Sequence, residues 1–424
     1  MSGVHLERRC DVIIPVKDAV DWVERSVVEL LRSTPREELG EVVVVDDRSS
    51  PASKKALEEI CRAAQVSLVD NTGSKGFGAS CNLGASRGTA PYLLLLNSDC
   101  LVTPGAVRKL VSALERDPSV AVACPLSNNS PLLTLPLSPG RSYIEMNALL
   151  EEAARAALPE DSALEACTIV GNCLLVRRTA WEALGGFDPV WGRGYGEETD
   201  LQMRALRRGW RGVCCIDTYV YHQGSASFRN EADLELLQQR NHRLFLERWG
   251  EDYARLEARC ASRNPTEVAA KRLAGLPGAR DLRPDLLFVL PALEQGIGGA
   301  QAVVDLCNEL LRQGLEARCV VLGSPPAARA YGEMMLSGPL YVSGEPALLA
   351  MEDLRPRCCV ATHFSTALPV HACARARGAR TIGFVQGLET YFIDGLARQD
   401  TIDGYAAMDR LVVTSRWLRE GVQR

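Results

Sequence analysis

Four consecutive valines, Val42 to Val45, lead directly into two aspartates. A run of β-branched residues without polar alternation predicts a strand buried on both faces, as in sheets covered by helices on both sides. Short apolar runs recur in the first 125 residues, with amphipathic stretches between them, at 10–15, 66–69, 92–96 and 120–123. This alternation predicts an α/β fold built on a doubly wound, largely parallel sheet.

Two Ser/Thr-Pro pairs predict helix starts in this region. Ser50-Pro51 predicts a helix to about Gln65, and Thr103-Pro104 predicts one ending near Arg116. A Ser or Thr side chain caps the first free N–H groups, and proline fits the first helical position. Further on, Cys167 to Val176 predicts a strand.

The length of 424 residues is too great for one ordinary core and suits two α/β domains. The strand and helix alternation gives way to a charged helical stretch after Glu231, and it restarts at Leu286 beyond a segment rich in Pro and Gly. We therefore predict a first domain over residues 1–250, a helical linker over 251–283 and a second domain over 284–424.

The composition excludes several classes of protein. Charged residues make up 24% and hydrophobic residues 46% of the chain, which is typical of a globular protein, and the net charge of −5 disfavours nucleic acid as a partner. No apolar run approaches the roughly 18 residues that span a bilayer. The polar segment Met1 to Arg9 carries no signal-peptide pattern, and the fifteen cysteines form no Cys-x-x-Cys pair. We expect buried thiols in a reducing cytoplasm.

Polar residues follow two of the predicted strands. Asp46 and Asp47 end the valine strand, and Asp99 follows the strand at 92–96, while Lys75 precedes a helix whose amino end suits phosphate. Asp also forms ordinary turns, but these residues share one edge of a parallel sheet, where ligands bind. Asp47 could accept a hydrogen bond from a nucleoside, and Asp99 could hold a divalent cation.

A second group of candidates follows a glycine-rich segment. Residues 185–196 contain five glycines with aromatic residues between them, which predicts an irregular active-site loop. Glu197 and Glu198 come next, at the mouth of a helix predicted from Thr199. They are either catalytic carboxylates or an ordinary acidic first turn. His222 follows a predicted strand and is either structural or a metal ligand.

Together, these segments resemble the inverting family-two glycosyltransferases of the GT-A fold. The resemblance covers about residues 8–230. The matching residues are Ile13-Ile14-Pro15, Val45-Asp46-Asp47, Asn82-Leu83-Gly84, Leu96-Asn97-Ser98-Asp99, Gly185-Gly186-Phe187-Asp188, Gly196-Glu197-Glu198 and Tyr221-His222.

The resemblance implies a nucleoside-diphosphate sugar as donor. Pro15, Asp46 and Asp47 would border its base and ribose, and Lys75 would lie near the pyrophosphate. The same resemblance implies Mg²⁺ or Mn²⁺ as cofactor.

Metal and base residues are also implied by the resemblance. Asp99 is the final acid of the metal motif, and His222 approaches the same ion or the diphosphate. Glu198, beside Glu197, occupies the position of the catalytic base. Two departures stand out, because Asn97 replaces the first aspartate of the metal motif and Glu198 replaces the usual aspartate.

The second domain contains Gly296-x-Gly298, but Gln301 stands where a dinucleotide fingerprint needs its third glycine. The segment from 284 to 424 resembles instead the N-terminal half of a family-four glycosyltransferase of the GT-B fold, which implies an acceptor site at Gly298 and Gly299. Other matching pieces are Ala361-Thr362-His363-Phe364, Val385-Gln386-Gly387-Leu388-Glu389 and Val413-Thr414-Ser415-Arg416-Trp417. We expect a chain truncated before the second GT-B half.

The sequence thus predicts a metal-dependent, inverting hexosyltransferase of bacterial surface polysaccharide and cell-wall synthesis. Rhamnose, from its thymidine diphosphate donor, is the first candidate sugar, because Asn97-Ser98-Asp99 resembles rhamnosyltransferases. The expected acceptor is a saccharide or a lipid-linked saccharide, which would place the protein in the cytoplasm or at the inner face of the membrane.

Two alternatives belong to other classes of protein. An inactive nucleotide- or carbohydrate-binding module is suggested by Asn97 and by the missing half of the second domain. An NAD-dependent sugar-nucleotide enzyme is disfavoured, because residues 15–18 contain no glycine fingerprint.

Overall fold

The structure is a computed structural model that describes residues 9–130, 132–138, 141–155, 159–224, 231–276, 282–291, 298–323, 336, 340–342, 345–351, 354–386 and 396–413. The chain divides into two compact units. The first comprises Met1–Pro136 and Asn147–Leu276, and the second comprises Leu137–Met146 and Pro277–Arg424.

The first unit is built on a nine-stranded sheet. Its strands are β1 (Cys10–Val16), β2 (Leu39–Asp46), β3 (Ser67–Asp70), β4 (Tyr92–Leu96), β5 (Cys100–Val102), β6 (Val120–Ser127), β7 (Ala163–Glu165), β8 (Cys173–Arg177) and β9 (Arg211–His222). They lie in the order β3-β2-β1-β4-β8-β6-β9-β5, with β7 also paired to β9.

Only part of this sheet is parallel. Strands β1 to β4 pair in parallel, as do β6 and β9, whereas β8 runs antiparallel to β4 and β6. Strands β5 and β7 also run antiparallel to β9. The prediction of a largely parallel sheet is therefore wrong where β5, β7 and β8 pair with their neighbours. The single strand predicted over 167–176 is wrong for its first six residues, because 167–172 form a loop and β8 begins only at Cys173.

Nine helices are described between residues 9 and 276. They are α1 (Val20–Ser33), α2 (Pro51–Ala64), α3 (Phe77–Ala85), α4 (Ala106–Arg116), α5 (Tyr143–Arg155), α6 (Arg178–Leu184), α7 (Glu197–Leu206), α8 (Glu231–Cys260) and α9 (Pro265–Ala274). The predicted linker over 251–283 is thus helical to Ala274, and the first unit includes it to Leu276.

The two predicted helix caps have different outcomes. Ser50 caps α2 as predicted, since its hydroxyl accepts a hydrogen bond from the N–H of Ser53. The predicted cap at Thr103-Pro104 is wrong, because α4 begins at Ala106 after Gly105. The hydroxyl of Thr103 instead donates to the main-chain oxygen of Tyr219, 2.6 Å away. The side chain of Thr103, which the local sequence predicts as a helix cap, therefore binds the backbone of β9.

Strands β1, β2 and β4 pass through the core of the first unit. Val43, Val44 and Val45 have no exposed surface, which confirms a valine strand buried on both faces. At the amino end of β1, the buried carboxylate of Asp11 lies 2.7 Å from the guanidinium of Arg178. Asp11 also accepts from the main-chain N–H groups of Glu41 and Ala90. This network ties the strand ends together at the edge opposite the predicted site.

The second unit contains a six-stranded, wholly parallel sheet. Its strands are β10 (Leu286–Leu290), β11 (Ala317–Leu322), β12 (Leu340–Val342), β13 (Cys358–Ala361), β14 (Arg380–Val385) and β15 (Arg410–Val413), and its helices are α10 (Gly298–Arg312), α11 (Glu345–Leu349), α12 (Phe364–Arg377) and α13 (Leu396–Ala406). The order β12-β11-β10-β13-β14-β15 reverses between β10 and β13. Doubly wound sheets that bind nucleotides have the same order and reversal.

All fifteen cysteines are free thiols. Thirteen are buried, and Cys167 and Cys358 are half-buried, which confirms that most cysteines serve as small apolar residues. Among the helices that the structure describes, none is both long enough and apolar enough to cross a bilayer.

Candidate active site

The predicted donor residues lie at the carboxyl ends of β1 and β2. Pro15 is buried in β1, opposite Val45. The carboxylate of Asp46 accepts from the N–H of Ser49, so this side chain forms the turn after β2. Lys75 is exposed, in the loop that leads to α3.

Asp47 is the donor candidate with the most informative contacts. Its Oδ2 accepts from the N–H of Gly76 at 2.8 Å, and its Oδ1 accepts from the amide of Asn71 at 3.2 Å. Asp47 therefore holds the loop in front of α3. A carboxylate oxygen can accept two hydrogen bonds, so each oxygen keeps capacity for a hydroxyl of a ligand.

Asp99 and His222 come together because β5 pairs with β9. Cys100 lies opposite His222 in that antiparallel pair. As a result, the Nε2 of His222 lies 3.4 Å from Oδ1 of Asp99. The amide nitrogen of Asn97 lies 3.4 Å from the same Nε2, so the structure brings all three predicted residues of the metal motif together.

The tautomer of His222 follows from its second ring nitrogen. Nδ1 lies 2.6 Å from the main-chain oxygen of Asn129, an acceptor, so Nδ1 carries the proton. In the neutral ring, Nε2 then offers a lone pair toward Asp99. Burial lowers the pKa of His222, but the hydrogen bond and charge of Asp99 outweigh it and the net shift is upward.

This donor set fits a divalent cation. The Oδ1 of Asp99 and the Nε2 of His222 face each other, and the imidazole is oriented by a main-chain carbonyl, as is usual for metal-binding histidines. The Sγ of Cys100 lies in the same cluster. Its thiol, however, donates to the main-chain oxygen of Asn172, and burial, followed by the charge of Asp99, raises its pKa well above the ordinary value.

Glu197 and Glu198 form the first turn of α7, which begins two residues earlier than predicted. The Oε2 atom of each is buried and has no hydrogen-bond partner among the described residues. Burial raises the pKa of Glu198, and burial together with the charge of Glu198 raises the pKa of Glu197 well above the usual range. A raised pKa favours uptake of a proton by these carboxyls, as a general base requires.

One short segment contacts both groups of residues. The carboxyl of Glu198 lies beside Gly171, because a Cβ placed on that glycine would be 3.5 Å from Cδ and Oε1 of Glu198. The next residue, Asn172, accepts from the N–H of Asn97 through its main-chain oxygen at 2.8 Å. The candidate base and the candidate metal motif are therefore held by adjacent residues of the loop before β8.

The glycine-rich loop is fixed to α3. The amide of Asn82 donates to the main-chain oxygen of Phe187 and accepts from its N–H, both at 2.9 Å. The N–H of Phe77 donates to the main-chain oxygen of Arg193 at 3.3 Å. These contacts hold the loop between the donor candidates and α7.

Sequence reasoning missed several asparagines of this region. Asn71 supports Asp47, Asn129 orients His222, and Asn172 supports Asn97. Asn128 accepts from the N–H of His222 and donates to its carbonyl. The sequence carries only weak signs of these roles. One is an Asn within the apolar run 169–176, and the other is a polar cluster at 127–130 that resembles any surface loop.

A cavity of about 630 Å³ lies along α3 and the glycine-rich loop. Lys75 and Glu197 line it, whereas Asp47, Asp99 and His222 do not. It therefore adjoins the candidate active site on the α3 side and does not enclose the Asp99–His222 pair.

In the second unit, the predicted acceptor residues Gly298 and Gly299 are the first two residues of α10. The main-chain oxygen of Gly299 accepts from the side chain of Gln386 at 3.2 Å. Gly296, Glu389 and the segment 414–417, which the sequence also singles out, lie outside the described residues.

Known proteins are similar to this chain mainly over its first unit. Residues 11–178 match the family model "Glycosyl transferase family 2". The O-antigen biosynthesis protein RfbC of Myxococcus xanthus is 28% identical over 242 residues, which are 53% of this chain and 18% of that protein. The chain thus spans less than a fifth of that relative's length.

Two further proteins are similar. The N-acetylglucosaminyl-diphospho-decaprenol L-rhamnosyltransferase of Mycobacterium tuberculosis is 27% identical over 228 residues, which are 48% of this chain and 73% of that enzyme. The crystal structure of GalNAc-T7 with UDP, GalNAc and Mn²⁺ has a TM-score of 0.46 at 18% identity and covers 58% of this chain and 50% of that one. The similarity to this family model thus covers residues 11–178, most of which belong to the first unit.

Proposed function

We propose that the first unit has a GT-A fold and transfers a sugar, with inversion, from a nucleoside-diphosphate donor to a hydroxyl of a saccharide acceptor. The family match supports the reaction class. The observation that carries the proposal is the link through residues 171 and 172. The carboxyl of Glu198, whose Oε2 has no hydrogen-bond partner among the described residues, lies beside Gly171, and the main-chain oxygen of Asn172 accepts from the N–H of Asn97 in the turn before Asp99.

Glu198 is the proposed general base. It removes the proton from the acceptor hydroxyl as that oxygen bonds to the anomeric carbon. The bond from this carbon to the diphosphate oxygen breaks on the opposite face, through an oxocarbenium-like transition state. The proton ends on Glu198, and the diphosphate leaves with the bonding electrons.

Asp99 and His222 are the proposed ligands of a divalent cation. When bound, Mg²⁺ or Mn²⁺ would offset the charge that develops on the diphosphate. Asn97 provides a neutral amide where an aspartate would add a second charge. Asp47 is proposed to bind the nucleoside and Lys75 the diphosphate.

Rhamnose is the proposed sugar. The similarity to an L-rhamnosyltransferase supports it, as does the resemblance of Asn97-Ser98-Asp99. The acceptor is proposed to be a saccharide, free or lipid-linked, of a bacterial surface polysaccharide. We also propose that the second unit is the N-terminal half of a GT-B fold; its parallel sheet and strand order support this.

The test is release of nucleoside diphosphate from a panel of sugar donors, with Mn²⁺, with Mg²⁺ and with chelator. Turnover of one donor, dependent on the cation and lost in Asp99→Ala, is the expected result, and the anomeric configuration of the product by NMR decides inversion. If nucleotide binds but every donor stays intact with a matching panel of saccharide acceptors, the protein is the inactive binding module.

A further inference from the structure

Helix α8 presents one continuous side to the glycine-rich loop and to α7. Gln238, Asn241, Phe245 and Trp249 recur at intervals of three or four residues and so share one side of the helix. Gln238 lies beside the side chain of Tyr195, the ring of Phe245 lies 6.5 Å from that of Trp191, and Trp249 donates to Asp200 at 2.9 Å.

Asn241 is the centre of this side. It is 2% exposed, and its amide nitrogen lies 2.9, 2.7 and 3.0 Å from the main-chain oxygens of Trp191, Gly194 and Tyr195. Its Oδ1 accepts from Arg240 at 2.9 Å. Two N–H groups are thus shared among three carbonyls, and the whole amide is used to hold the loop.

The loop needs an external support. Gly192, Gly194, Tyr195 and Gly196 all have positive φ, at 67°, 145°, 71° and 113°. Tyr195 is not a glycine, and a residue in this region costs free energy unless its surroundings hold it there. Without the amide of Asn241, three carbonyls in a buried place would lose their donor.

The strained loop ends where the candidate base begins. Gly196 precedes Glu197 directly, and its main-chain oxygen accepts from the N–H of Asp200 in the first turn of α7. A shift of the loop at residues 194–196 therefore moves the carboxyl of Glu198 relative to Gly171. We propose that Asn241 is a positioning residue that sets the place of the Glu198 carboxyl through this loop, an inference that rests on the proposed role of Glu198.

The test compares Asn241→Asp with Asp11→Asn. The first variant keeps the size of the side chain but turns a carboxylate toward the three carbonyls. The second removes charge from a buried pair at the opposite edge of the sheet and serves as a control for lost stability. We expect kcat for donor turnover to fall about 100-fold in Asn241→Asp, with the KM for the donor little changed. Asp11→Asn should lower the unfolding temperature and leave kcat as in the wild type.

Two further measurements separate positioning from general damage. If Asn241 acts only through Glu198, adding Asn241→Asp to Glu198→Gln lowers the residual rate no further. Amide hydrogen exchange of residues 192–197 should quicken in Asn241→Asp and not in Asp11→Asn. Three results would each overturn the inference. They are additive losses of rate in the double variant, an equal loss of kcat in Asn241→Asp and Asp11→Asn, and unchanged hydrogen exchange in Asn241→Asp.

Exchange also distinguishes this inference from the proposed function. If the wild type turns over no donor while exchange at 192–197 responds to Asn241→Asp alone, the proposed function fails but the loop is held as described. If turnover is normal and exchange does not respond, the positioning role fails and the proposed function stands.

Discussion

The Nε2 atom of His222 lies 3.4 Å from Oδ1 of Asp99. The two residues are distant in sequence, and the short pairing of β5 with β9 brings them together. Because Nδ1 of the same ring donates to Asn129, the lone pair of Nε2 points to the carboxylate. The two side chains are therefore arranged as the pair of cation ligands that we propose.

Asp99→Asn should weaken Mn²⁺ binding by at least about tenfold, because a neutral amide oxygen replaces the carboxylate. Isothermal titration calorimetry with Mn²⁺ in the presence of UDP measures this. Cys100→Ala is the matched control. Its thiol donates to Asn172, so the affinity should not change. A comparable loss of affinity in both variants would show that the thiol is a ligand.

Glu198→Gln should reduce turnover by about 100-fold to 10,000-fold while nucleotide binding stays as in the wild type. The amide keeps the shape of the side chain but cannot take the acceptor proton. Glu197→Gln is the neighbouring comparison, and we expect a smaller loss, because Glu198 is the one that contacts Gly171. The reverse ranking of the two variants would assign the base to Glu197.

The raised pKa of Glu197 predicts a pH-dependent stability. Burial, and then the charge of Glu198, raise its pKa well above the ordinary value of a glutamate, 4.5. The stability contributed by such a carboxyl is complete below its unfolded pKa and is lost as the pH rises through its folded pKa. Glu197→Gln removes this loss, so its unfolding temperature relative to wild type should rise as the pH is increased from about 4.5. A constant difference by calorimetry across this range would contradict the prediction.

Gly76→Ala should displace the glycine-rich loop. Gly76 has φ of 116°, and a Cβ there would lie 2.5 Å from Cα of Arg193, a backbone atom that cannot rotate away. Gly209→Ala is the control, with φ of 79° and open space around it. The control should lose about 1 kcal/mol of unfolding free energy from backbone strain alone, with turnover unchanged. Gly76→Ala should lose more in urea denaturation and should also lose turnover. Equal effects would show that the loop tolerates the shift.

Sequence patterns predicted the elements that depend on local chemistry. The valine strand β2, the Ser50 cap of α2 and the irregular glycine loop follow from propensity, capping and backbone freedom. The direction of the strands did not follow. Strand β5 has only three residues, and β8 is antiparallel through pairing with distant strands, so neither carries a local signal.

The same distinction holds for the candidate site. The acids and His222 stand at strand or helix ends and could be singled out. Their supports could not, because Asn129 acts through its main-chain oxygen and Asn241 through contacts made 46 to 50 residues away. Such contacts exist only once the loops are packed.

The thirteen buried thiols can report local unfolding of the protein. A thiol within the packed interior reacts with an alkylating reagent only when the structure around it opens. Cys81 lies near Glu197 and Glu198, and Cys173 pairs with Leu96 at the end of β4, while Cys307 and Cys373 belong to the second unit. Labelling rates at these positions, read by mass spectrometry, would record how each unit unfolds locally without any engineered label.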